Sequence, residues 1–368
     1  MWRRGFVSPL PVPWEAAPHT KIKHALYRQY FSKWFPIMVQ GFDGDVTYAE
    51  GFSGPGIYAD GAPGSPVIAL NTVVGDHRLR TKVRRLRLLF VDEDRRCTAL
   101  LRERLTDAAQ PVALHKLPDH GMVVDIATGP CVPTLEDLLN QHQAWGRPML
   151  VVLDTWGGSV PYDLVRRIAN NGHSEVLITI EPQYFSRFAS ADGIGYGDSV
   201  FGGRTWRDVM NQASDQKTRW LLQHYRDAIH KAGFDFVLDF ELVDNRGQSL
   251  YLVFGTTHAR GHEKMKEAMW EVDVVSGAGY RDPRDPDQET LAIEIEPNTR
   301  PLRRLIHAYL KDRADHEASV RDLRKFALYN TFYKASHVMP ILRDMIDDGE
   351  LANTTLGRLG FGDAVRLV

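Results

Sequence analysis

A predicted strand that ends in a glycine-rich turn constrains the fold of this chain more than any other feature. Residues 45–50 (DVTYAE) have the composition of a strand, and the next six positions hold Gly51, Gly54 and Gly56. Glycine tolerates positive φ angles and lacks the Cβ atom that blocks a close approach of backbone to a ligand. The carboxylate of Glu50, at the strand end, can hold an amine or a hydroxyl. The segment therefore predicts a ligand-binding turn, although a lone glycine-rich segment is most often only a turn.

The rest of the first 256 residues alternates between strand and helix patterns. Further strands are predicted at 86–91, 121–126, 149–153 and 175–180, with helices at 66–74, 98–105, 135–142, 162–170 and 216–232. Strands at 236–242 and 249–256, split by Asp244-Asn245-Arg246-Gly247, have the pattern of an antiparallel hairpin. Alternation of this kind predicts an α/β fold with a doubly wound, Rossmann-like parallel sheet. The terminal hairpin is typical of methyltransferases and differs from nicotinamide-binding domains, which stay parallel.

The amino-terminal segment predicts an irregular arm followed by one helix. Residues 1–18 are interrupted by prolines, and Thr20–Phe35 follows helical periodicity until Pro36, which is expected to end the helix. Lys21, His24 and Arg28 fall on its polar face, and Lys23 falls nearer the apolar one. The favoured interpretation is a solvated basic face; the alternative is a helix that contacts phosphate.

Composition excludes several classes of protein. The 368 residues suffice for two domains, and a formal net charge of −2 gives no overall attraction to nucleic acid. Cys97 and Cys131 have no metal-ligand spacing, so neither a disulfide framework nor a metal site is expected, and each is predicted to be a small buried residue. The sequence has no pattern of a signal peptide or membrane span. We therefore expect a cytoplasmic protein.

Acidic side chains follow successive predicted strands. In a doubly wound sheet the ligand lies beyond the carboxyl ends of the strands. These ends carry Glu50, Asp92, Asp125 and Asp154, the last followed by Thr155-Trp156-Gly157. Asp92 is suited to the ribose hydroxyls of an adenosine, and its distance from the glycines is about twice that of the acid in nicotinamide-binding folds. Each carboxylate could instead cap the next helix, and Trp156 could belong to the core rather than stack on a base.

Three arginines and one basic run are the residues that suggest phosphate binding. Arg187 follows the fifth strand and is predicted to face the same rim, and Arg204 and Arg207 are weaker candidates of the same kind. The run at 77–87 (HRLRTKVRRLR) is densely basic. Phosphate contacts need such charge, but charge runs are more often solvated surfaces.

The tail after residue 299 predicts a separate small domain. Helices at 302–313, 319–328 and 339–348, followed by a short β element at 364–368, form the pattern of a winged helix-turn-helix. The predicted organisation is an arm at 1–18, the α/β domain at 19–273, a proline- and charge-rich linker at 274–299, and the winged helix at 300–368. Asp344, Asp347 and Asp348 in the last helix leave open a protein partner instead of nucleic acid.

These residues resemble the three-Cys-motif partner proteins. The resemblance spans about residues 14–270 and rests on the blocks 51–58 (GFSGPGIY), 61–70 (GAPGSPVIAL), 90–94 (FVDED), 154–157 (DTWG) and 251–258 (YLVFGTTH), together with Met265, Met269 and Trp270. It implies an S-adenosylmethionine (SAM) methyltransferase-like domain with a winged-helix tail, and a radical-SAM-like partner that carries the three cysteines.

With SAM as the cofactor, the strand-end positions assign roles to residues. Cofactor binding is implied for Glu50, Phe52, Gly54, Gly56, Asp92 and Asp125, and binding of a target base amine for Asp154 and Trp156. The family shows Asp-Pro-Phe-Gly where this chain has residues 154–157 as DTWG. Losing that proline frees the backbone at the target-amine site. The hypotheses are therefore a SAM-dependent methyltransferase acting on RNA or DNA, a catalytically degenerate adaptor that binds nucleic acid for its partner, and a small-molecule methyltransferase with a regulatory tail.

Overall fold

The computed structural model describes residues 11–155, 160–189, 195–243, 249–276, 299–355 and 357–368. The chain divides into two compact units, Met1–Lys264 and Met265–Val368. The predicted boundary at residue 273 and the predicted linker at 274–299 stay predictions, since most of that segment lies outside the described residues. Within the described residues, no helix is both long and apolar enough to cross a bilayer.

One mixed sheet forms the centre of the first unit. Its strands are β1 (Asp45–Glu50), β2 (Arg85–Asp92), β3 (Met122–Thr128), β4 (Met149–Leu153), β5 (Ser174–Ile180), β6 (Phe236–Val243) and β7 (Ser249–Thr256). In the described part of the chain these strands lie in the order β3-β2-β1-β4-β5-β7-β6. The first five pair in parallel, and β7 is antiparallel to both β5 and β6. The predicted α/β fold with a terminal antiparallel hairpin is therefore confirmed, and its strand order is that of the methyltransferase-like sheet.

Helices cover both faces of this sheet. They are α1 (Pro18–Gly41), α2 (Ser65–Gly75), α3 (His77–Arg80), α4 (Arg95–Ala108), α5 (Cys131–Gln141), α6 (Tyr162–Ala169), α7 (Pro182–Phe188), α8 (Gly195–Phe201), α9 (Lys217–Ala232) and α10 (Ala259–Ser276). Every residue of β1, β4 and β5 is buried, as expected for parallel strands with helices on both sides. Cys97 and Cys131 are buried and free, as predicted.

Helix α1 is longer than predicted, and Pro36 lies inside it. A proline within a helix removes one backbone hydrogen bond. Here the turns around it bury Phe35 and Val39, which are at most 1% exposed, and this apolar burial offsets the loss. Of the predicted basic face, Lys21 and Arg28 are exposed as expected, but His24 is buried. Lys23, which the pattern placed nearer the apolar face, is buried too.

A buried carboxylate ties α1 to the sheet. The phenol of Tyr30 and the hydroxyl of Thr256 both donate hydrogen bonds to Glu175, the second residue of β5. Glu175 lies at the amino end of its strand, opposite the edge where the strand-end carboxylates lie. We therefore assign this network to the stability of the fold.

The second unit contains helices and a small sheet. After the end of α10 it holds α11 (Arg300–Lys311), β8 (Glu317–Ser319), α12 (Val320–Asn330), α13 (Val338–Asp347), β9 (Leu351–Asn353) and β10 (Ala364–Leu367). Within the described residues its three strands form an antiparallel sheet in the order β8-β10-β9. The three predicted helices are present. Strands β8 and β9 were not predicted, because three residues are too few to show a strand period.

Candidate cofactor and substrate site

Three of the predicted carboxylates lie at neighbouring strand ends. Glu50 is the last residue of β1, Asp92 is the last of β2, and Asp154 directly follows β4. Because β1 pairs with β2 on one side and with β4 on the other, Asp92 and Asp154 flank Glu50, separated by about 10 Å across two strand spacings. The sheet thus brings these three acids to one edge.

The glycine loop after β1 has the predicted backbone conformation. Gly54 has a φ of 61° and Gly56 a φ of 73°, in the left-handed region that favours glycine. The amide of Gly54 donates a hydrogen bond of 2.8 Å to Oδ2 of Asp92. The ring of Trp14 lies 3.5 Å from the position that a Cβ of Gly54 would take. The loop is therefore held directly against the end of β2.

Asp92 organises the turn at this edge. Its Oδ1 accepts a hydrogen bond of 2.9 Å from the amide of Asp94, while Oδ2 accepts from Gly54. Burial raises the pKa of Asp92, and the hydrogen bonds from these two amides oppose the rise. A carboxylate accepts about four hydrogen bonds, so both oxygens keep capacity for ligand hydroxyls. Asp94, by contrast, caps α4 and pairs with Arg96.

Glu50 is almost fully buried beneath the loop, with 1% of its surface exposed. The Tyr48 phenol donates to one carboxyl oxygen at 2.6 Å, and the Ser65 hydroxyl donates to the other at 2.7 Å. Burial raises the pKa of Glu50 to about 8, against the lowering effect of these hydrogen bonds and of Lys23. Phe52 lies half-buried in the same loop and packs against the core.

Asp154 forms an ion pair that the sequence did not reveal. The ammonium of Lys23, on α1, contacts Oδ2 of Asp154, and the two side chains are only 8% and 17% exposed. The neighbouring His24 is buried, which lowers its pKa to about 3, with Lys23 as the second cause. The His24 ring lies 5.3 Å from the ring of Tyr58. Helix α1 therefore closes the β4 end of the edge with polar side chains.

Two predicted site residues are not brought to this edge by the described structure. Asp125 lies within β3, which continues to Thr128 rather than ending near residue 126. Its Oδ2 lies 2.8 Å from Nε2 of His142, just past α5. The predicted position of Asp125 at the strand end is thus corrected: it lies three residues before that end, and its carboxylate pairs with His142. Trp156 lies outside the described residues.

The three predicted phosphate-binding arginines are dispersed. Arg187 is exposed on α7, directly after β5. Arg204 and Arg207 both pair with Asp198, at 3.5 and 3.0 Å. Asp198 also accepts a hydrogen bond from the indole of Trp206. The ion pairs of Arg204 and Arg207 account for their placement without a phosphate.

The basic run at 77–87 lies at the opposite edge of the sheet from the acids. Arg85 begins β2, whose eight residues span about 25 Å to Asp92. Arg87 is 1% exposed and pairs with Asp45 at 2.6 Å, and Arg84 pairs with Asp43. Arg84 and Arg87 thus form ion pairs within the protein. Because the run lies at the other end of the strands, it cannot contact the same base as Asp154.

The raised pKa values of Glu50 and Glu175 predict a pH-dependent stability. Burial raises the pKa of Glu175 to about 7, and that of Glu50 to about 8, from an ordinary glutamate pKa of 4.5. The folded form therefore binds more protons than the unfolded form between about pH 4.5 and 8, and stability falls as pH rises through that window. The slope reaches about 1.4 kcal/mol per pH unit for each group.

Melting temperatures measured from pH 5 to 8 check this expectation. Glu175→Gln should flatten the decline, so that the difference from the parent protein grows in favour of the variant with rising pH. Asp163→Asn, at an exposed site on α6, is the control and should follow the parent curve. Parallel curves for Glu175→Gln and the parent would contradict the assignment.

Comparisons with known proteins give distant structural similarity alone. No family model matches the chain, and no curated protein matches it significantly. Among solved structures, a human methyltransferase 10 domain containing protein is 9% identical, with 63% of this chain and 82% of that chain covered, at a TM-score of 0.33. Trm1 from Pyrococcus horikoshii, solved with S-adenosyl-L-methionine, is 10% identical, with coverage of 67% and 58% and a TM-score of 0.33.

A protein from Legionella pneumophila is similar at the same level. It is 13% identical, with 73% of this chain and 96% of that chain covered, and a TM-score of 0.39. The fold assignment rests on the strand order of the sheet.

Proposed function

We propose that this protein is a SAM-dependent methyltransferase that acts on a base amino group of nucleic acid. The observation that carries the proposal is the hydrogen bond between the Gly54 amide and Asp92. It joins the glycine loop of β1 to the acid of β2, at the edge where ligands bind in doubly wound sheets. Asp154 lies on the other side of β1, where an acceptor amine would approach.

The residues at this edge fit the cofactor. The positive φ angles of Gly54 and Gly56 give a loop whose backbone can approach a ligand. Asp92 retains acceptor capacity for ribose hydroxyls, and Glu50 lies where an ammonium group would favour its charged form. Bound SAM supplies an activated methyl group. The chain's own residues would hold the adenosyl group and exclude water from the reacting atoms.

Asp154 would orient the acceptor amine. Lys23 contacts Oδ2, and a carboxylate accepts hydrogen bonds at both oxygens. The Thr179 hydroxyl donates to the carbonyl of Thr155 at 2.9 Å, which fixes the backbone directly after Asp154. A base N–H that donates to Asp154 would have its nitrogen lone pair held in one direction. Positioning of this kind accounts for much of the rate in transfers between bound groups.

We assign the tail to the recognition of nucleic acid as a winged helix. Its helices α11 to α13 and its strands β8 to β10 follow the order of that motif. Arg324 lies 4.6 Å over the ring of Phe361, which is 63% exposed in the loop between β9 and β10. An exposed aromatic ring beside a guanidinium is suited to stacking on a base.

A catalytically degenerate adaptor is the second candidate, and one contact favours it. Lys23 already occupies Oδ2 of Asp154, and this chain lacks the proline that the three-Cys-motif partner family places after that acid. For both candidates, we propose from the resemblance to that family that this protein has a radical-SAM-like three-Cys protein as its partner.

Transfer of radiolabel from methyl-labelled SAM to mixed cellular RNA and DNA separates the two candidates. The enzyme should label one pool, and Asp154→Ala should reduce the rate by about 10²-fold or more, since the acceptor amine loses its orientation. Asp163→Ala, at the exposed site on α6, should leave the rate unchanged. Binding of SAM with no labelling of either pool would support the adaptor and contradict methyl transfer.

A further inference from the structure

Helix α1 places two buried hydrogen-bond donors beside the candidate site. Lys23 and Tyr27 are four residues apart, and residues at this spacing lie on the same face of a helix. Both side chains are near Asp154: Lys23 contacts it directly, and Asp154 and Glu50 are among the charges that act on the phenol of Tyr27. Neither residue belongs to the site that the sequence predicts.

The hydroxyl of Tyr27 is an orphaned polar atom. Tyr27 is 0% exposed, and within the described residues its hydroxyl has no hydrogen-bond partner. Leaving a buried polar group unpaired is unfavourable, and most buried polar groups in native proteins are paired. Burial is the largest cause that raises the pKa of this phenol, so it remains a proton donor. In the described part of the chain, the Tyr27 hydroxyl therefore lacks a hydrogen-bond acceptor.

The charges around Lys23 specify what kind of acceptor fits. For a buried ion pair such as Lys23–Asp154, the free energy of desolvating the two charges can exceed their mutual attraction. A lysine ammonium donates three hydrogen bonds, and the contact with Asp154 uses one of them. The lowered pKa of His24 leaves that neighbour uncharged at neutral pH. An anionic group beside Lys23 and Tyr27 would satisfy donors of both residues.

We propose that Lys23 and Tyr27 bind the carboxylate of the cofactor's amino-acid end. The inference rests on the proposed function, since it takes SAM as the ligand. Lys23 would bridge the ligand carboxylate and Asp154, and Tyr27 would donate its hydroxyl to the same carboxylate. Glu50, at the end of β1, would lie near the ligand's ammonium. A zwitterionic amino-acid end brings one charge of each sign, so it enters the Lys23–Asp154 pair without adding a net charge.

Two ligands that differ in the amino-acid end test the proposal. S-adenosylhomocysteine carries that end, and 5′-methylthioadenosine lacks it while keeping the adenosine and the thioether. Calorimetry on the full chain should show that Lys23→Met weakens S-adenosylhomocysteine binding by roughly 10- to 100-fold, as expected for a lost charged hydrogen bond. Binding of 5′-methylthioadenosine should change by less than about 2-fold.

A matched control lies two residues earlier on the same helix. Lys21→Met removes an exposed lysine that pairs with Asp60 and should change neither affinity. Tyr27→Phe keeps the ring and deletes the hydroxyl. It should weaken S-adenosylhomocysteine roughly 3- to 10-fold, again without effect on 5′-methylthioadenosine, and it decides the question if Lys23→Met does not fold.

The outcomes separate the inference from the proposed function. If the parent protein binds both ligands but the variants weaken both equally, or neither, then Lys23 and Tyr27 act only in the fold and the inference fails. If the parent protein binds neither ligand at millimolar concentration, the proposed function fails and the inference fails with it.

Discussion

Asp92→Ala is expected to abolish measurable binding of SAM and of S-adenosylhomocysteine. Asp92 has two tasks at the site: it accepts the hydrogen bond of the Gly54 amide, and it would accept both ribose hydroxyls. Removing it costs the ligand two charged hydrogen bonds, each worth about 1.5–3 kcal/mol, and leaves the glycine loop without its anchor. We expect the dissociation constant to rise at least about 100-fold, since every 1.4 kcal/mol is tenfold. Isothermal calorimetry on the full chain measures this directly.

The control for this prediction is Asp125→Ala. Asp125 is the same residue type on the neighbouring strand, but it pairs with His142 instead of the glycine loop. The Asp125→Ala variant should bind the ligand as tightly as the parent protein does. Equal losses in the two variants would mean that the change acts through the stability of the sheet. Unchanged binding in Asp92→Ala would show that the ribose does not bind at the end of β2.

The sequence predicted the sheet well because its signals are local. Buried parallel strands are short apolar runs, and β1, β4 and β7 have the predicted bounds. Two glycines of the turn have the positive φ that their composition indicated. Strand ends follow from strand bounds, so the juxtaposition of Glu50, Asp92 and Asp154 was also predictable.

Two errors concern the residues at which elements end. Asp125 was placed at a strand end because the third strand was predicted to stop two residues too early. A shift of that size moves a side chain about 7 Å along the strand. Pro36 indicated the end of α1, but burial of the following turn overrides this local signal.

The role of Lys23 shows the limit most clearly. On a helical projection it lay near the apolar face, which is unfavourable for a lysine unless a partner is present. That partner, Asp154, is 131 positions away along the chain. Arg87 is a similar case, because its buried partner Asp45 lies in another strand. In both cases a charged residue at an apolar position indicates a buried partner, but only the three-dimensional structure identifies that partner.

A second buried lysine holds the carboxyl end of α12. Lys266, in the second unit, is 0% exposed, and its ammonium donates to backbone carbonyls of Ala327 at 3.2 Å and Tyr333 at 3.3 Å. It also contacts the carbonyls of Leu328 and Thr331. The last four carbonyls of a helix have no partner inside it, and a cation at this end is favoured by the helix dipole. Lys266 thus satisfies the end of α12 in a place that water cannot reach.

Lys266→Met should destabilise the second unit by about 3–5 kcal/mol, because it keeps most of the side-chain volume but leaves several buried carbonyls without a donor. Hydrogen exchange on the full chain should show faster exchange in α12 and α13, while the strands of the first unit exchange as before. Lys325→Met, at an exposed position of α12, removes the same charge without touching these carbonyls and should match the parent. If Lys266→Met left exchange in α12 unchanged, the carbonyl cluster would contribute little to stability. A unit that loses its fold while the first unit still binds SAM would also show that the cofactor site is complete within residues 11–264.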